Sequence, residues 1–235
     1  MPISLRALFW TGIVLLAGCA SPEGARDPRD PLEPMNRAVH RFNEAVDRAA
    51  IKPLAEGYRA VTPVPVQSSV RNFFGHLGDV KVFANNVLQF KLEEASSDFL
   101  RLVFNTTFGV VGLFDVATEM GLAKNNEDFG QTLGHWGVPP GPYLVLPLLG
   151  PSSLRDGVGA VVDSRYADPV TQLEHAPSRH AAIALRVLSL RADLLAAMAA
   201  IEAAALDPYE FTRDLYLERR AALVHDGKVP DDTQP

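Results

Sequence analysis

One cysteine, Cys19, is all the thiol chemistry in this 235-residue chain, so no internal disulfide can form even in an oxidising compartment. Basic charge is also short. Twenty-two Lys and Arg against 28 Asp and Glu leave a net charge of −6, which argues against nucleic acid and against a polybasic membrane patch. No stretch shows sustained period-two alternation, so no sheet is expected. None of the six histidines sits in an HExxH pattern, and His175 and His180 are five apart with Pro177 between them, so no metal and no cofactor is expected. Ser152 or Ser153, His135 and Asp156 could be cast as a hydrolase triad, but the Gly-x-Ser-x-Gly elbow is missing around the serines. Residue types without geometry prove little, and no enzyme is expected.

The cysteine ends the run Leu16-Ala17-Gly18-Cys19, directly after an apolar stretch from Leu8 to Ala17, with Arg6 as the lone charge before it. A positive start, a short apolar run and small residues before a cut are the parts of a secretory signal. The run is too short for a bilayer, which needs roughly 20 apolar residues. A cysteine placed directly after the cut fits the lipoprotein pathway, in which the thiol receives a diacylglyceryl group. Residues 1–18 therefore read as a signal peptide and Cys19 as an acylated N-terminus. Losing Arg6 with the signal makes the net charge one unit more negative, so membrane attachment rests on the lipid, and several acyl chains exceed the two-signal threshold for stable anchoring. Ala20 and Ser21 follow, without the Asp that marks inner-membrane retention, which favours the outer membrane. Residues 19–31 read as a tether rich in Pro, Gly and charge; from Pro22 to Pro31 it spans roughly 35 Å at most.

The rest reads as helix. Val39, Phe42, Val46 and Ala49 share one face of a segment from Asn36 to Ile51, which Lys52-Pro53 should end. Pro63 and Pro65 mark a break. Val66, Val70, Phe73, Phe74 and Leu77 continue in helical spacing, and Gly78-Asp79 is expected to open a further helix with Val80, Phe83 and Val87. Leu92, Ala95, Phe99, Leu102 and Val103 make another. A long Ala-rich helix is expected from about Ser178 to Leu206. Asp207-Pro208 stops it and opens the next, with Asp207 as cap and Pro208 at the first helical position. Residues 228–235 read as a disordered tail.

One segment breaks this pattern. From Phe129 to Leu154 there is no formal charge if His135 is neutral, yet Pro139, Pro140, Pro142, Pro147 and Pro151 forbid a membrane-spanning helix. Phe129, Trp136, Tyr143, Leu144, Leu146, Leu148 and Leu149 are its candidate channel or membrane-facing residues. Ordinary packing on the helices explains the same composition. Ser153 is expected to cap the helix after it, with Asp156 reaching back in a capping box. The Gly121–Gly134 loop is a candidate gate, and a plain surface turn suits it equally.

Asp30-Pro31-Leu32-Glu33-Pro34-Met35-Asn36-Arg37 with Phe42-Asn43 resembles the opening motif of the MlaA/VacJ outer-membrane lipoproteins. Glu127 to Gly134, Gly141-Pro142-Tyr143 and Leu146-Pro147 through Gly150 to Asp156 resemble that family's central signature, and Asp207-Pro208-Tyr209 its C-terminal part. Phe90 departs from it, since glycine is expected there. The resemblance implies an all-α fold, a mostly helical ring-like single domain over residues 32–227 with an amphipathic central channel, set in the periplasmic leaflet of the outer membrane. It implies removal of mislocalised phospholipids from the outer leaflet, hand-over to a periplasmic phospholipid carrier, and association with a trimeric porin. A lipid conduit needs an apolar wall, polar groups for the head group and no nucleophile. A structural lipoprotein that braces porins without transport would need the same anchor and helices; a continuous amphipathic path against a solid core separates the two.

Overall fold

The computed structural model describes residues 27–227. The signal peptide, Cys19 with its acylation, most of the tether and the tail 228–235 lie outside the described residues.

Helix α1 (Glu33–Val46) starts with Glu33 and Pro34 in its first turn, where an acidic side chain and a missing N–H are both tolerated. It does not end at Lys52-Pro53. A π-helical turn, Asp47–Ile51, carries it into α2 (Lys52–Val61). Pro53 in regular α geometry would press its ring on the carbonyl four residues back. The wider turn, in which the Lys52 N–H reaches the Asp47 carbonyl, comes directly before that point and lets the helix pass. Helix α3 (Val64–Leu88) runs unbroken through Gly78-Asp79. Asp79 does not cap because its side chain is buried, 3.1 Å from Lys124 Nζ and 3.6 Å from Arg101 Nε.

Helices α4 (Leu92–Thr107), α5 (Val116–Glu119) and α6 (Phe129–His135) follow, the last two capped by Asp115 and Asp128. A two-stranded antiparallel hairpin then appears where no sheet was expected: β1 (Tyr143–Leu146) pairs with β2 (Gly150–Ser153), Tyr143 opposite Ser153 and Leu146 opposite Gly150. Strands of four residues, one carrying Pro151, are too short to show a period in sequence. Helix α7 (Leu154–Tyr166) has the expected Ser153 cap, with Ser153 Oγ accepting from the Asp156 N–H at 3.2 Å. Helix α8 (Ala176–Ala204) is the long Ala-rich helix, and α9 (Pro208–Val224) begins on Asp207, whose carboxylate accepts from the N–H groups of Tyr209 and Glu210.

Packing closes a circuit. Helix α1 lies on β1, β2 on α9, α9 on α6, α6 on α3, α3 on α8, and α8 on α2, which is continuous with α1. Helix α7 packs on α6 and on the hairpin, and α4 lies along α3. The arrangement is ring-like and mostly helical.

The distribution of polarity is inverted. Among the described residues the buried apolar side chains are few and mostly small (Ala55, Val82, Ala95, Ala117 and Ala192 among them), and buried polar or charged ones outnumber them. Large apolar side chains stand outside on nearly every element, including Leu54, Val61, Phe90, Leu92, Phe108, Val161 and Leu190. A water-soluble monomer seldom exposes so much apolar surface.

Candidate functional site

The site is built from polar seams. Asn36 and Asn43 lie two turns apart on α1 and both address the edge of the hairpin. Asn36 donates to the Tyr143 carbonyl (3.0 Å) and accepts from the Val145 N–H (2.9 Å); Asn43 donates to the Leu146 carbonyl (3.0 Å) and accepts from the Leu148 N–H (2.8 Å). Two amide side chains thus substitute for a third strand. Asp30 accepts from Asn36 Nδ2 at 2.8 Å and from the Tyr209 hydroxyl, while the Tyr143 N–H donates to the Arg29 carbonyl. Residues 27–31, assigned to the tether on composition, are therefore docked on the body, with Asp30 fully buried. Composition read the prolines and charges of that stretch as linker and could not show their partners.

A second seam joins α6, α7 and α9. Arg220 donates to Asp128 Oδ2 (2.6 Å) and to Asp156 Oδ1 (3.1 Å), and the Tyr216 hydroxyl donates to Asp156 Oδ2 (2.6 Å). Asp156 takes these bonds and one from Arg155 Nε instead of reaching back to complete a capping box. Burial would raise the Asp128 carboxyl, but the bond and charge of Arg220 outweigh it and hold the group down at about 2. Gly130 and Gly159 let α6 and α7 touch at the backbone: a Cβ on Gly159 would lie 2.4 Å from the Gly130 nitrogen.

The third seam runs from α3 to α6. Asn85 donates to Asp163 Oδ1 (3.1 Å) and accepts from the Thr132 hydroxyl (2.7 Å), and the Phe129 N–H donates to Asp163 Oδ2 (2.9 Å). Gln89 and Lys91 hold Glu127 at 2.8 and 3.0 Å. Burial pushes the Asp163 carboxyl above the usual range, despite its hydrogen bonds. The loop expected as a gate is pinned along its length: the Leu122 carbonyl accepts from Arg101, Asn125 donates to Asp98, and Gln131 to the Asn126 carbonyl.

Between these seams the ring surrounds a cavity of about 420 Å³. Leu77, Gly78 and Lys81 of α3, Asp156, Ala160 and Asp163 of α7, Arg186 of α8, Tyr216 and Arg220 of α9, and Pro151 and Ser152 of β2 line it. Polar groups and apolar carbon share the wall, which suits an amphipathic ligand.

The candidate residues from sequence separate into three sets. Tyr143 is 1% exposed and packs in the core with Tyr209, Val145 and Tyr216, so it neither faces lipid nor lines the cavity; its ring is on the inward face of β1, beneath α9. Leu144 and Leu146 are half-buried on the alternate face of β1, and Phe129 is half-buried with its ring edge-on to Trp136 at 6.3 Å. Trp136 is 50% exposed, and Leu148 and Leu149 at the hairpin tip are 63% and 77% exposed. Cys19 lies outside the described residues. Of the cavity's charged groups, sequence reading named only Asp128 and Asp156, both as motif residues. It quoted Asn36 and Asn43 as motif residues, and their spacing of seven was the one sign of a shared partner.

Comparison with known proteins agrees with this architecture. The family described as MlaA lipoprotein matches residues 28–223. The intermembrane phospholipid transport system lipoprotein MlaA of Escherichia coli strain K12 is 33% identical over 243 residues, covering 100% of this chain and 94% of that protein. Its Haemophilus influenzae counterpart is 31% identical over 222 residues, 92% of this chain and 88% of the other. An uncharacterized protein of Rickettsia bellii is 32% identical over 207 residues, 88% of this chain and 81% of the other. A solved structure described as the structural basis for maintenance of bacterial outer membrane lipid asymmetry superposes with a TM-score of 0.74 at 30% identity, covering 85% of this chain and all of that one. A ring of the same shape, matched along nearly its whole length by these relatives, makes the chain a member of the MlaA lipoprotein family.

Proposed function

We propose that this lipoprotein removes mislocalised phospholipids from the outer leaflet of the outer membrane, passes them through its ring, and so maintains lipid asymmetry. The observation that carries the reading is the inverted polarity: apolar side chains outside, a partly polar cavity inside. An apolar exterior is solvated by acyl chains, while the charged seams stay within the protein, as backbone and polar groups at membrane depth must. In this reading the ring sits within one leaflet, on the periplasmic side, anchored through acylated Cys19. Leu148 and Leu149 at the hairpin tip and Trp136 beside α6 form part of its lipid-facing rim. The lipid passes to a periplasmic phospholipid carrier, and a trimeric porin holds the ring in place. No bond in the lipid is broken, so no catalytic residue is needed.

The test is outer-leaflet phospholipid in intact cells lacking the protein, with wild-type and Cys19→Ala copies restored separately. Phospholipid should rise on deletion and fall only with the wild-type copy. An unchanged level on deletion would favour the porin-bracing role instead.

A further inference from the structure

The charges around the cavity do not all find partners. Arg220 is committed to Asp128 and Asp156, and Arg186 Nη1 to Asp168 Oδ2 at 2.8 Å. Lys81, half-buried on α3, has no carboxylate within 4.0 Å among the described residues, although it lies near enough to Asp163 to lower that group's affinity for protons. Asp163 in turn is held by an amide and a backbone N–H, not by a cation. Once the paired charges are removed, one ammonium and one carboxylate remain on the same wall, close enough to feel each other but joined by no direct ion pair among the described residues. A half-buried ammonium with no direct carboxylate partner keeps its three donors for a ligand, and an anionic ligand group is the partner that suits them.

Resting on the transport reading above, we propose that Lys81 and Asp163 form a head-group subsite selective for zwitterionic phospholipids bearing a primary amine: the phosphate oxygens accept from Lys81 Nζ and the ammonium donates to Asp163. The complementarity is one of sign at two points. A phosphoethanolamine head carries its negative group next to the glycerol and its positive group at the end, so binding matches both wall charges without leaving either unpaired. A phosphoglycerol head offers only the negative group and leaves Asp163 unmatched. The aliphatic stem of Lys81 with Leu77, Ala160 and Pro151 gives the acyl side of the ligand an apolar approach.

The experiment is native mass spectrometry of the full acylated protein in non-ionic detergent. Phosphatidylethanolamine and phosphatidylglycerol with identical acyl chains are added in competition. Wild type should retain the ethanolamine lipid over the glycerol lipid by about tenfold, the scale of one charge-assisted contact. K81A should lose binding of both by about tenfold, with K81R restoring it, and D163N should lose the preference while keeping the glycerol lipid. Binding by K81A equal to wild type, or an unchanged preference in D163N, overturns the subsite while leaving transport intact. If wild type holds neither lipid, the transport reading itself falls. Inorganic phosphate and soluble phosphoethanolamine serve as a further arm. Displacement of the lipid by phosphate alone, at lipid-like concentration, would make this a free-anion site and sink the assignment.

Discussion

At Asp128, capping, ion pairing and burial fall on one carboxylate, and the result is a pH dependence with a definite sign. Its folded pKa, about 2, lies below the ordinary 3.8, so its stabilisation is complete above about pH 4 and is lost as pH falls towards 2. The shift corresponds to about 2 kcal/mol. D128N should cost about that much in urea unfolding at pH 7 and remove most of this acid-side loss, as followed by circular dichroism in mild detergent. Asp163 carries the opposite sign. Burial raises it, so its ionised form opposes folding at neutral pH and the cost shrinks as pH falls through the raised value. Phe90 makes a separate residue-scale case. It holds a left-handed conformation (φ 60°) just past the end of α3, at the position where the family resemblance called for glycine, and its side chain is 82% exposed. The turn is kept and the strain is carried by a residue unsuited to it. F90G should stabilise the detergent-solubilised protein by about 1 kcal/mol. No gain in urea midpoint would mean that the exposed ring contributes a contact the backbone term does not capture.

Among the elements, α6 against α7 is the closest junction, and two glycines permit it. Gly159→Ala places a methyl on the backbone of Gly130, where nothing can rotate away, and should destabilise by about 1–3 kcal/mol. The comparable change at Gly78, which has open space around its Cβ position, should be neutral or mildly stabilising for the same helical reasons that favour alanine. A shared loss at both positions in thermal unfolding would show that general helix effects, not the contact, decide. The hairpin depends on α1 in a graded way. Asn36 is fully buried, and Asn36→Ala strands Asp30 Oδ1, the Tyr143 carbonyl and the Val145 N–H; Asn43→Ala strands groups near the exposed tip that water can reach. Amide exchange at Val145 should therefore accelerate far more in the first variant than exchange at Leu148 does in the second.

For the whole molecule, the decisive property is where the apolar surface lies. Charges at the hairpin tip test it directly. L148E with L149E removes the most exposed apolar pair of that element and should weaken association with phospholipid vesicles at least tenfold while leaving thermal stability in detergent unchanged. Unchanged vesicle binding would move the lipid contact to another face, such as the Phe108–Phe114 loop with its exposed rings.

The sequence alone determined most of the helices, and it alone carries the expectation of a signal peptide and an acylated cysteine. These rest on local chemistry: a cysteine at a fixed place after an apolar run, apolar residues at helical spacing, and Asp207 and Ser153 as caps. It also marked Phe129–Leu154 as unusual, because charge is absent over a long stretch. Tertiary structure decided the rest, for reasons of distance and partnership. Pro53 failed to end a helix because the turn before it widened. Asp79 failed to start one because Arg101 and Lys124, far along the chain, drew it inward. Tyr143 went to the core and Leu148 to the surface, though both belong to one apolar segment, because Asn36 and Asn43 fix which edge of the hairpin meets α1. The cavity charges were illegible for the same reason: Lys81, Asp163 and Arg220 are separated by most of the chain, and only closure of the ring reveals which charges have found partners and which have not.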